Sequence, residues 1–169
     1  MPRFSKLKKR IEALFSPNIN LEVRCTVYRK RTQYGPLKLP RLWITLNGEI
    51  VFDFIKDFAN LITRDPYFSW KYKGTDLDIC HLDIMFINDL IQEYIETPAD
   101  ILFDHVFPCD YYGLTDILKA ADRRIGKNRL LLLKNNTQSE AAKKVIEIRL
   151  GIPPNITDES QKAGIEIYQ

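Results

Sequence analysis

Carboxylates and an imidazole crowd into one stretch of this 169-residue chain, TDLDICHLD, which holds Asp76, Asp78, His81 and Asp83. Such a set would hold a divalent cation and activate a water, the chemistry of a metal-assisted hydrolase. The spacing matches no established ligand motif. On a strand Asp76 and Asp78 share a face, whereas on a helix they sit about 200° apart. The other histidine, His105, belongs to a separate segment. The simpler reading makes Asp76 and Asp78 turn or cap residues with His81 partly exposed, and expects neither a catalytic metal nor another cofactor.

Nucleophiles give less. Cys80 and His81 are sequence neighbours and therefore face different directions, so adjacency makes no dyad. Cys25 falls on the apolar side of an alternating run, where a thiol is usually an inert packing group. An acid follows Cys109 and would raise its pKa. No Gly-x-Ser-x-Gly elbow, G-x-G-x-x-G or G-x-x-x-x-G-K-[ST] occurs. Three cysteines at unhelpful spacings fit a reducing compartment. With no apolar run of about 18 residues, no membrane association by a spanning helix is expected.

The elements that would position any site are legible from periodicity. Residues 3–15 place Phe4, Leu7, Ile11, Leu14 and Phe15 on one helical stripe, with Lys6, Lys9 and Arg10 opposite. Residues 20–31 alternate as a half-buried strand. RLWITL and EIVFDF flank Asn47-Gly48, the residue pair that a tight type I′ hairpin demands. A fourth strand is expected around 67–73, and 77–87 reads equally as strand or helix. Helices follow over 83–96, from Thr97-Pro98, from Thr115 to a stop at Gly126, and over 138–150. Strands first and helices after predict an α+β domain over 1–154, an antiparallel meander of three or four strands with helices packed on one face, and a tail over 155–169. The expected core contains Leu21, Val23, Val27, Leu42, Ile44, Leu46, Ile50, Phe52, Ile117, Leu118, Ala121 and Ile125.

Charge is strongly segregated beneath a net of only +3. Residues 1–41 are basic, 42–110 acidic, and the remainder mildly basic. Basic ends packed around an acidic middle would neutralise each other. Basic segments meeting on one face would instead attract a polyanion. The sharpest candidate is GLTDILKAADRRIGKNRLLLLK, residues 113–134. Read as one helix, it sets Lys119, Arg123 and Lys127 at i, i+4 and i+8, where like charges repel by roughly 0.2–0.5 kcal/mol per pair. Arg124 and Arg129 flank this stripe. Arg29, Lys30 and Arg31, beside Tyr28 and Tyr34, offer a second group of cations with stacking surfaces.

That segment, with WITLNGEIVFDF and LIQEYIETP, resembles a pattern in small uncharacterised bacterial proteins, over most of residues 4–150. The resemblance implies a single compact domain in a bacterial cytoplasm, and it carries no catalytic or binding residue with it. Three functions follow in order. The first is a non-enzymatic binding module with a basic surface for a polyanion such as nucleic acid. The second is a protein–protein module or homodimer, and the third the metal-assisted hydrolase.

Overall fold

The computed structural model describes residues 3–32, 35–53, 69–72, 75–78, 84–108, 110 and 113–153. Helix α1 (Phe4–Glu12) leads into strands β1 (Leu21–Thr32), β2 (Gly35–Leu46) and β3 (Glu49–Asp53). These form one antiparallel sheet in the order β1-β2-β3. The turn between β2 and β3 is the one its residues demand, with Asn47 at φ 54° and Gly48 at φ 87°. Strands β4 (Ser69–Tyr72) and β5 (Thr75–Asp78) pair with each other and, among the described residues, with no further strand. The fourth strand expected near 67–73 therefore exists, outside the meander. Helices α2 (Ile84–Glu96), α3 (Thr115–Ala121), α4 (Lys127–Asn136) and α5 (Glu140–Leu150) complete the described elements. The arrangement is α+β.

One core joins the layers. Leu7 and Ile11 of α1, Val23, Leu42 and Ile44 of the sheet, and Leu90, Ile117, Leu118, Ile125 and Val145 of the helical side are all buried together. The alternation in β2 explains the sheet's share: Leu42, Ile44 and Leu46 face the core. Phe52 packs against that core while only partly buried, and Val27 is half-buried.

Ile50 corrects the expected core list, because it is 54% exposed. A β-bulge is the cause. The register pairs Ile44 with Phe52 but Thr45 with Ile50, and shifts between them. The extra residue, Val51, sends Ile50 and Phe52 to opposite faces despite their i, i+2 spacing.

Three helix boundaries also differ from expectation. Thr97-Pro98 opens a run of turns rather than a helix. The Thr97 hydroxyl instead donates back to the Glu93 carbonyl at 2.7 Å, closing α2. The helix from Thr115 stops at Ala121, and Asp122 is extended (φ −71°, ψ 121°). Gly126 is the N-cap of α4 (ψ 167°), not a helix stop. His81, Asp83, Cys80, Cys109, Tyr34 and the tail 155–169 lie outside the described residues.

Candidate functional site

The break in the helix at Asp122 organises the helical side. Helix α3 begins where the Asp110 carboxylate accepts from the Leu114 and Thr115 amides at 2.8 and 3.2 Å and from the Thr115 hydroxyl at 2.6 Å. It ends where the chain meets the exit of α1. The Ser16 amide donates to the Ala121 carbonyl at 2.8 Å, and the Arg123 amide donates to the Leu14 carbonyl at 2.9 Å. These bonds make a short antiparallel bridge between Phe15 and Asp122.

Side chains lock this junction from inside. The fully buried Asp122 carboxylate accepts from the Arg124 amide at 2.8 Å and from the Arg124 guanidinium at 2.7–3.1 Å. The Tyr94 hydroxyl donates to the same carboxylate at 3.1 Å. Arg124 also donates to the Thr97 carbonyl at 3.0 Å and lies over the Tyr94 ring. From α5, Arg149 donates to the carbonyls of Ala120, Asp122 and Ile125 at 2.8, 2.9 and 3.1 Å. Burial pulls the Arg124 pKa down, but the bond and charge of Asp122, with Tyr94, outweigh it and leave the pKa raised. Burial lowers that of Arg149, against the opposing pull of Asp122 and Tyr94. Burial, then the Asp122 charge, holds the Tyr94 phenol well above its ordinary range.

The sequence-level candidates separate here. Lys119 is 8% exposed and donates to the carbonyls of Phe103 and His105 at 2.9 and 3.2 Å. Burial lowers its pKa, with Asp116, Asp104 and Asp110 opposing. Arg124 is spent on Asp122. Arg129 lies over the Phe103 ring and reaches the carbonyls of Ala99 and Asp100 at 3.5 Å. Arg123 and Lys127 are exposed and unpaired among the described residues. The expected single-helix stripe is therefore corrected: Lys119, Arg123 and Lys127 occupy α3, the junction and α4. Arg29, Lys30 and Arg31 fall near the far end of β1, opposite Lys38, Leu37 and Pro36 of β2. At about 3.3 Å per residue, Arg29 is roughly 20 Å along the strand from Val23.

What periodicity missed is where the α1 cations end up. Arg3, Lys6, Lys9 and Arg10 are exposed, whereas Lys8 turns to Glu12 and Glu22 at 3.5 and 3.8 Å. The exposed stripe runs along α1 to Leu14, the residue that receives the Arg123 amide. Beyond Arg123, α4 starts with Lys127 and Arg129 in its first turn, no acid there and no side-chain cap. Cations at the positive end of a helix are unfavourable by typically 0.3–1 kcal/mol each, and the bare amides there favour an anion.

Among the described residues little supports covalent or proton-transfer chemistry. Burial pushes the Cys25 thiol up to about 12. Asp122 is saturated by its partners. His105 bonds Glu93 at 2.9 Å at the edge of an open groove. Asp76 and Asp78 lie on β5, across from Lys71 and Ser69.

The described residues thus define an α+β protein in which a short backbone bridge brings the exit of α1 beside the turn that carries Arg123. A sequence model matching residues 3–150 adds the family: the chain belongs to the SF0329 protein family. No curated protein and no solved structure matches it. Among the described residues no helix is long and apolar enough to cross a membrane.

Proposed function

We propose that this protein is a non-enzymatic binding module whose basic face takes a polyanion, with nucleic acid as the ligand. The observation that carries this reading is the pair of backbone bonds between residues 14–16 and 121–123. They bring the exit of α1, the helix whose exposed side carries Arg3, Lys6, Lys9 and Arg10, beside Arg123, four residues before Lys127. None of the six has an ion-pair partner among the described residues. The uncapped start of α4 adds amides that suit a phosphate. The six cations stand on elements whose backbone is fixed by the Asp122 junction, so they are held in place without being consumed by it. Arg29, Lys30 and Arg31, away from this junction, would extend the surface only for a long polymer.

Fluorescence titration of short DNA and RNA at two salt concentrations tests the reading. Binding should weaken log-linearly with salt, and R123Q/K127Q or K6Q/K9Q should flatten that slope by about one unit per lost phosphate contact. No titration at low salt, or a slope that neither double variant moves, would overturn it.

A further inference from the structure

We propose that the outer face of α2, with the turns that follow it, docks a second copy of this chain through the second copy's α1 stripe. The association stands by itself; only its competition with nucleic acid rests on the polyanion reading. On α2, Met85, Asp89, Glu93 and Glu96 recur at helical spacing on the exposed side. A groove of about 570 Å³ runs between this face and Pro98, Ile101 and His105. Ile101 and Val106 beside it are 50% and 79% exposed.

The charges are placed against their own helix. Glu93 and Glu96 sit in the last turns of α2, which carry no basic residue, so both meet the negative end of the dipole. The His105 ring bonds Glu93 and the Gln92 amide donates to Glu96 at 3.0 Å, while Asp89 has no cation within pairing distance among the described residues. Asp100 and Asp104 extend the acidic edge into the turns.

The chain itself carries the complement. Asp89 to Glu96 and Arg3 to Arg10 are both seven-residue steps, and each spans about 10 Å at helical rise. Helices α1 and α2 pack against each other within one chain. A two-fold axis can therefore lay each α1 on the other copy's α2, making the contact reciprocal. Exposed ion pairs alone bind weakly; burying Ile101 and Val106 supplies the apolar part. Since α1 also serves the polyanion face, nucleic acid and a second copy would exclude one another.

Sedimentation without nucleic acid, across protein concentration and at about 50 and about 300 mM salt, reads the association directly. The wild-type chain should dimerise at low salt, with affinity reduced about tenfold or more at the higher salt. D89K/E96K and K6E/K9E should each be monomeric, and an equimolar mixture should restore a heterodimer, because each surface then meets its reversed complement. Circular dichroism checks folding, and D100K/D104K replaces D89K/E96K if that variant unfolds. A monomer at all concentrations, or no rescue on mixing, would overturn the proposal. D89K/E96K leaves α1 intact and should still bind oligonucleotide. A wild-type dimer that binds no oligonucleotide would sink the polyanion reading and leave the docking surface standing.

Discussion

Arg123 and Arg124 are adjacent and chemically identical, yet one faces water and the other closes a buried carboxylate. The same division separates several other cations, apart from Lys134 and Lys143, which pair with Glu147 and Glu140. Lys119, Arg124 and Arg149 spend their donors on carbonyls and on Asp122. Arg123, Lys127 and the α1 stripe spend theirs on nothing within the described residues. Backbone geometry makes the difference. The extended Asp122 and the amide bond from Arg123 to Leu14 turn successive side chains to opposite sides. A cluster of basic residues in sequence is thus two populations, one structural and one available.

Breaking the buried population should cost most. Asp122→Ala strips Arg124 and Tyr94 of a shared acceptor at a fully buried site, so denaturant melts should show a loss of about 3–5 kcal/mol. A loss under 1 kcal/mol would place the junction's stability elsewhere. Arg149→Leu leaves the carbonyls of Ala120, Asp122 and Ile125 without that donor. At roughly 1–3 kcal/mol per unsatisfied group, with water recovering some, about 2–3 kcal/mol is expected.

Lys119 sharpens the division through pH. Its folded pKa is lowered from 10.5, with burial the largest cause. Between the lowered value and 10.5 the unfolded chain binds more protons than the folded one, so stability attributable to Lys119 rises with pH across that window. Subtracting matched melts of Lys119→Met cancels the other titrating groups and should isolate this rise; a difference that falls with pH would contradict the burial. The smallest stability effect belongs to the exposed pair. R123Q/K127Q should shift stability by no more than about 0.5 kcal/mol while weakening oligonucleotide binding. Equal losses from this variant and from Asp122→Ala would erase the distinction.

Some elements were legible because their cause was local. Asn47-Gly48 fixed its hairpin because few other pairs adopt positive φ at both positions. Ser139 caps α5 by accepting from the Ala142 amide at 3.2 Å, at the start a polar cap predicts. Some misses have distant causes, although Thr97-Pro98 fails locally, where the Thr97 hydroxyl closes α2 on the Glu93 carbonyl. Nothing near Ala121 ends its helix; the partners that do are Leu14 and Ser16. Helix α4 escaped notice because RLLLLK has no helical period, and Leu131 and Leu132 remain 38% and 53% exposed. The bulge that exposes Ile50 depends on pairing with β2. Of the candidate site, residue types were legible but partners were not: a lysine bound to two carbonyls and one free in water look alike in sequence.

The bridge between Phe15 and Asp122 also sets a schedule. The apolar stripe of α1 leaves the ribosome long before the segment that covers part of it. At about 5–20 residues per second, the intervening stretch takes roughly 5–20 s to make. Through that interval Leu7, Ile11 and Phe15 lack α3 and the junction, so part of their apolar surface waits for its cover. Contacts this far apart in sequence also slow the final closure, since the loop must be brought together before any bond rewards it. Pulse proteolysis of stalled nascent chains should find the exit of α1 around Phe15 less protected before residues 114–125 have emerged than after.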